Sequence, residues 1–231
     1  MGNNNSLTKK CLNLVARTHV ISPLRHPFRV KNLSMTGLDP SYCIGDQKPL
    51  LVGSTLHVER IDHIFHQHDR DVQKLLTTDN AGGSSIISEA LSFYLVRDLF
   101  LFFGYDVALD RTEMEIEYVP GSKITDYSII VNKSTIIGCS VVRFFNYRDL
   151  NHIIDDSEIY RLLSKKLNGI NESTMNVINQ PWKKQILHII TPNNALRRRI
   201  SKAITKLKPE LISNTVIFIT VSSNRSVYYK H

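Results

Sequence analysis

The sequence predicts an α/β protein in which a mixed central sheet carries flanking helices. Three observations support this class. Residues 86–103 are apolar almost all round at helical spacing, which is typical of a buried helix. Two β-rich segments, Asp126–Val131 and Thr135–Phe145, flank the tight turn at residues 132–134 and predict a hairpin. Helical and strand patterns then alternate toward the end of the chain, which favours parallel strands beside that hairpin.

The N-terminal third gives few clear signals. We expect a flexible, Asn-rich N-terminus at residues 1–10 and an irregular or helical extension at residues 11–83, which contains several prolines. Residues 77–83 have the composition of a turn or linker. The main α/β domain is therefore expected to cover residues 84–231.

Each further element of that domain has its own signal. Ser84 or Ser85 is suited to cap the first helix, and Gly104 to end it. Alternating Glu113, Glu115 and Glu117 indicate a strand with one solvated face. The expected strands are Tyr105–Leu109, Glu113–Val119, Gln185–Thr191 and Thr215–Ser222, and the expected helices are Asp155–Leu167 and Asn193–Lys208.

Composition narrows the class of protein. Of 231 residues, 42% are hydrophobic and 22% charged, so a sizeable core is available and global disorder is not expected. The longest apolar run, near Phe100–Phe103, is too short to cross a bilayer, and we expect no signal peptide. Three scattered cysteines fit a reducing compartment, so we expect an intracellular protein of the nucleus or cytoplasm.

The positive charge is concentrated near the C-terminus. The net charge is +8, and residues 183–208 contain eight basic residues and no acidic ones. A basic surface of this kind attracts polyanions such as nucleic acid or an acidic membrane face, although a solvated helix face has the same composition. The expected nucleic-acid contacts are Lys183, Lys184, Arg197, Arg198, Arg199 and Lys202.

Two acidic residues are candidates for metal chemistry. Glu89 is the only acidic residue in the first two turns of the apolar helix, where an unpaired buried carboxylate costs several kcal/mol. It should therefore face a cleft, a metal or a base. Asp126 opens the first strand of the hairpin. Converging carboxylates can bind Mg²⁺, which activates water for phosphodiester hydrolysis.

In this order, the elements between residues 84 and about 191 resemble the PD-(D/E)XK nucleases. Glu89 matches the helix glutamate of that family and Asp126 its strand aspartate, with Thr125 where proline is usual. The resemblance implies a restriction-endonuclease-like αβββαβ core, with Glu89 approaching Asp126 from the preceding helix and both binding Mg²⁺. It also implies a nuclease that acts on nucleic acid.

The returning strand departs from the family pattern. Ser140, Val141 and Val142 stand where the family has Glu-x-Lys, so one carboxylate ligand and the water-orienting lysine are missing. Arg143 follows as a substitute cation or phosphate contact, but in a regular strand it would point to the opposite face from Val142. We therefore expect a nucleic-acid-binding protein with a degenerate or inactive site, or one whose catalytic residues have migrated.

Two other classes remain open. The fold can serve as a non-catalytic protein-interaction module. The first six residues, Met1 to Ser6, also fit the pattern for N-myristoylation at Gly2. This modification would make the chain a lipid-anchored, membrane-associated protein.

Overall fold

The computed structural model describes residues 51–53, 69–79, 85–102, 104–145, 154–182, 184–222 and 227–228. Its centre is a six-stranded sheet in the order β1-β6-β5-β4-β3-β2. The strands are β1 (Leu51–Gly53), β2 (Val107–Thr112), β3 (Tyr127–Val131), β4 (Thr135–Arg143), β5 (Gln185–Thr191) and β6 (Thr215–Val221).

The sheet is mixed, as the sequence predicts. β2, β3 and β4 pair in antiparallel order, whereas β4, β5, β6 and β1 run parallel. Three residues connect the paired Val131 and Thr135, and two of them, Asn132 and Lys133, have the positive φ that tight hairpin turns require. Because the connections from β4 to β5 and from β5 to β6 contain helices, the carboxyl ends of these three strands lie at one edge of the sheet.

Helices cover both faces of the sheet. They are α1 (Arg70–Thr77), α2 (Ile86–Phe102), α3 (Asp156–Asn176), α4 (Asn194–Ile204) and the short α5 (Pro209–Ile212). Residues of α1 and α2 form one core with the side chains Tyr127, Ile129 and Cys139. Residues of α3 and α4 form a second core with Leu187, Ile189 and Ile217. An α/β fold with a mixed sheet and flanking helices is therefore confirmed.

The helix starts follow their sequence signals. The side chain of Asp155 accepts a hydrogen bond from the Glu158 N–H at 2.7 Å, and Asn193 accepts one from the Leu196 N–H at 2.8 Å. Each satisfies one of the donors that a first helical turn leaves open. α3 continues to Asn176, nine residues beyond the expected end at Leu167, because Leu167 and Ile170 still pack into the second core.

The expected strand at Glu113–Val119 is wrong. Residues Glu113–Glu115 form a 3₁₀ turn, because the Glu115 carboxylate accepts hydrogen bonds from the N–H (2.9 Å) and hydroxyl (3.2 Å) of Thr112. This reciprocal cap bends the chain away from the sheet. Of the expected strand, Tyr118 alone makes an isolated bridge, to Val177 at the end of α3.

Part of the expected N-terminal extension belongs to the main packing unit. β1 pairs with β6, and Val72 and Leu75 of α1 are buried in the first core. Asp69 caps α1 and forms an ion pair with Arg97 of α2. The boundary expected at residue 84 therefore does not separate two packing units. Among the helices that the structure describes, none is long and apolar enough to cross a membrane.

Candidate functional site

A cleft opens at the carboxyl end of β4. Its volume is about 690 Å³, and residues from the start of α2, the start of β3, the end of β4 and the first half of α3 line it. The charged residues in its lining are Asp126, Arg143, Glu158, Arg161 and Lys166. A cleft at this edge, where several elements end, can collect side chains that are far apart in the sequence.

Asp126 and Ser140 meet across the hairpin. The β3–β4 ladder ends with Tyr127 opposite Cys139, so one further step places Asp126 opposite Ser140. Because Tyr127 and Cys139 point into the core under α2, their neighbours Asp126 and Ser140 are on the α3 side of the sheet. The Asp126 carboxylate also accepts a hydrogen bond from the Val141 N–H at 2.5 Å.

Lys166 of α3 supplies the cation beside Asp126. Its ammonium group donates to the Val141 carbonyl at 3.4 Å. Burial raises the pKa of Asp126 above its ordinary value, and the charge of Lys166 and the Val141 N–H oppose that rise only in part. Ionisation of Asp126 therefore lowers the stability of the folded protein.

The sequence analysis missed Lys166. One sequence signal for it was present. Arg161, Leu162 and Lys166 follow Glu158 by three, four and eight residues, so all four side chains lie on one face of α3. Charged residues on a stripe that faces the sheet edge indicate a site. The strand pattern instead indicated residues 140–143.

Arg143 lies on the other side of the sheet from Asp126. β4 pairs with β5 without a register shift from Gly138 to Arg143, so no bulge turns the arginine toward Ser140. Its side chain donates to the Val227 carbonyl at 3.3 Å and lies 5.9 Å from the centre of the Phe145 ring. Arg143 therefore lines the cleft from the α2 side and does not take the place of a lysine at residue 142.

Glu89 interacts electrostatically with Arg143. Burial lowers the pKa of Arg143, and the negative charge of Glu89 opposes that shift. Glu89 itself is only 3% exposed and comes from α2. Glu89 thus lies with Arg143 on the α2 side of the sheet, whereas Asp126 is on the α3 side, so the expected approach of Glu89 to Asp126 is wrong. Within the described ranges, no group of three or more His, Cys, Asp or Glu side chains is arranged to hold a metal ion. The expected Mg²⁺ site stays a prediction to which these residues offer a poor fit.

The basic residues of the C-terminal third divide into different environments. Arg198 and Lys202 of α4 are exposed, and Arg199 forms a 2.8 Å ion pair with Asp156. Arg197 is half-buried. Lys184 is only 6% exposed, so its expected place on a nucleic-acid-binding surface is wrong. The side chain of Lys183 and the myristoylation pattern at Gly2 lie outside the described residues.

A second polar cluster is enclosed in the core beneath α2. His188 of β5 is fully buried, with Nδ1 2.7 Å from the Ser92 hydroxyl and Nε2 2.7 Å from the Thr220 hydroxyl. Ser92 in turn lies 2.8 Å from the Tyr127 hydroxyl. Burial lowers the pKa of His188 to about 3, so the ring is neutral. A serine–histidine pair that solvent does not reach serves to join α2 to three strands and is not a nucleophile–base pair.

Comparison with known proteins adds one relative. A protein of Dictyostelium discoideum described as "AAC-rich mRNA clone AAC4 protein" is 41% identical over 157 residues, which are 66% of this chain and 22% of that protein. The chain thus spans about a fifth of the relative's length. No family model matches the chain, and no solved structure matches it.

Proposed function

We propose that the chain is a nucleic-acid-binding protein whose cleft is a degenerate site of the PD-(D/E)XK type. The observation that carries this proposal is the placement of Asp126 opposite Ser140 at the sheet edge, with Lys166 beside them. The element order α2-β2-β3-β4-α3-β5 also follows the αβββαβ order of that family. The missing carboxylate at residue 140 supports a degenerate site, whereas the position of Glu89 on the other side of the sheet counts against the family resemblance.

The cleft has the chemistry of a phosphate-binding site. Three cations line it, Arg143, Arg161 and Lys166, against the two carboxylates Asp126 and Glu158. Arg161 is exposed, whereas Lys166 is half-buried and Arg143 lies opposite both. A phosphodiester that enters between these groups meets cations from α3 on one side and from β4 on the other. Such contacts fix the position of a backbone without reading its sequence.

The position of Lys166 argues against efficient metal-dependent cleavage. A divalent ion beside Asp126 would have to share the carboxylate and the neighbouring Val141 carbonyl with an ammonium group that already interacts with both. Ser140 adds no carboxylate that would favour the metal. We therefore expect weak or no Mg²⁺-dependent nuclease activity.

Binding and cleavage are tested together. The protein is titrated into labelled single- and double-stranded DNA and RNA, and each is then incubated with Mg²⁺ or Mn²⁺. We expect salt-dependent binding that weakens in an Arg161→Gln, Lys166→Gln variant and stays unchanged in a Lys133→Asn variant. Each phosphate contact that is lost should flatten the log–log salt dependence by about 0.7 to 0.9. The hairpin-turn control is chosen because asparagine tolerates the positive φ of Lys133.

Two results would overturn parts of the proposal. Robust metal-dependent cleavage that an Asp126→Ala variant abolishes would show an active enzyme and refute the degenerate site. The absence of binding to all four nucleic acids would refute the nucleic-acid function itself. Circular dichroism of each variant separates a lost contact from a lost fold.

A protein-interaction module is the second candidate, and exposed apolar side chains favour it. Val119, Met175 and Ile178 are 47%, 77% and 57% exposed. Backbone hydrogen bonds from Val119 to Asn176 and from Ile178 to Glu117 bring their segments together. Neighbouring exposed apolar groups of this kind occur at protein-binding surfaces. The absence of binding in the nucleic-acid titrations would favour the protein-interaction module.

A further inference from the structure

A second, smaller depression lies between α3 and α4, outside the cleft. We call it the α3–α4 groove. It encloses about 230 Å³, and its walls include Asp156 and Tyr160 from α3 with Arg199, Lys202 and Lys206 from α4 and the turn that follows it. One side of the groove is therefore aromatic and acidic, and the other carries three cations.

The cations of the groove are not equivalent. Asp156 accepts hydrogen bonds from Nε and Nη2 of Arg199, both at 2.8 Å, so the charge of that arginine is largely neutralised. Lys202 and Lys206 are exposed and lie four residues apart along the chain. Their ammonium groups therefore provide the positive potential of the groove, next to a guanidinium that Asp156 holds in place.

Tyr160 gives the groove an aromatic face. Tyr160 is 42% exposed, so part of its ring is open to a ligand. An exposed ring opposite lysines is the combination with which proteins bind single strands, where bases stack on aromatic side chains and cations follow the backbone. Bases in a duplex are stacked on each other and do not offer their faces in this way.

We propose that the α3–α4 groove binds single-stranded nucleic acid, with one base stacked on Tyr160 and neighbouring phosphates held by Lys202 and Lys206. The inference rests on the proposed function, because it takes nucleic acid as the ligand, and it adds the strandedness of that ligand.

The groove and the cleft share the first turns of α3. Asp156 and Tyr160 face α4, whereas Glu158 and Arg161, on the adjacent side of the same turns, face the cleft. A strand held in the groove therefore needs to cross only this part of α3 to bring its next phosphates to Arg161 and Lys166. The groove selects the strand, and the cleft receives its backbone.

The test separates stacking from charge. Affinity for labelled oligothymidine and oligouridine is measured against a duplex of the same length over a range of salt concentrations. In a Tyr160→Leu variant we expect affinity for the single strands to fall about 5-fold or more with an unchanged salt slope, since stacking contributes about 1–3 kcal/mol per base. In a Lys202→Ala, Lys206→Ala variant we expect the slope to flatten by about 1.4, because each single-strand phosphate contact contributes about 0.7.

Two further variants sharpen the result. Lys123→Ala with Lys133→Asn removes the same charge from exposed sites outside both the groove and the cleft, and should leave the single-strand preference unchanged. Asp156→Asn releases Arg199 and should steepen the salt slope. If the protein binds nucleic acid but Tyr160→Leu changes nothing, or if duplex binds more tightly, the groove proposal is wrong and the proposed function stands. If no nucleic acid binds, both are wrong.

Discussion

Protonation of the unfolded chain at His188 should make the protein less stable in acid by a predictable amount. The folded ring is enclosed and its pKa is about 3, whereas the unfolded chain has the ordinary value of 6.5. The stability that the neutral ring contributes is therefore complete above pH 6.5 and declines as the pH falls toward about 3. Between about pH 7 and about pH 5 the unfolded histidine takes up a proton and the folded one does not. This difference lowers the free energy of unfolding by roughly 2 kcal/mol.

The perturbation is His188→Gln, whose amide can still hydrogen bond to Ser92 and Thr220 but does not titrate. Urea denaturation at the two pH values gives the change in unfolding free energy for each protein. We expect that change to be smaller in His188→Gln than in the natural protein by roughly 2 kcal/mol. Ser92→Ala is the matched control, because it removes a partner of the ring and should destabilise the protein while it keeps the pH dependence. Equal pH dependence in His188→Gln and the natural protein would refute the reasoning.

Three further predictions test the sheet and the cleft. Gly138→Ala should destabilise the protein by about 1–3 kcal/mol in urea denaturation, because a Cβ there would lie 2.6 Å from the Trp182 ring, and shortening the ring with Trp182→Phe should recover part of the loss. Asp126→Asn should stabilise the protein more at neutral pH than at about pH 3. The reason is that the pKa of Asp126 is raised in the folded protein, so ionisation of this carboxyl lowers the free energy of unfolding as the pH rises. Ser140→Glu should create a thermal stabilisation by Mn²⁺ or Mg²⁺ that neither the natural protein nor Ser140→Gln shows, and its absence would mean that carboxylates at residues 126 and 140 do not form a metal site beside Lys166.

Much of the fold could be predicted because local signals agree with the tertiary structure. β5, Gln185–Thr191, has the predicted bounds, since a continuous apolar run between polar segments leaves little choice of register. α2 begins within one or two residues of its predicted cap and ends one residue early. In both elements, consecutive apolar residues in the sequence indicate which side chains are buried.

The failures have a local cause and a long-range cause. Glu113–Val119 alternates like a strand, but Thr112 and Glu115, three residues apart, form capping contacts that close a turn, and the alternation does not reveal them. α1 is part of the core because Asp69 pairs with Arg97 and because Val72 packs against α2. Neither partner can be identified before the fold is known.

The arrangement of the cleft explains why its cation was missed. Asp126 lies on the α3 side of the sheet, and the residues of β4 on that side near it are Ser140 and Val142, neither of which carries charge. A cation beside Asp126 must therefore come from the helix that covers this side, and Lys166 lies there. Arg143, the cation that the strand pattern indicates, is on the α2 side with Glu89. The cleft thus has cations on two opposite walls. If β4 alone supplied the cation, the cleft would be positive only on the wall that carries Arg143. Under the proposed function this difference matters, because cations on opposite walls can hold a phosphodiester backbone from two sides. The same distribution places an ammonium group beside Asp126, where a metal-dependent nuclease would need a metal ion, so under the proposed function the features that favour binding a backbone also disfavour cutting it.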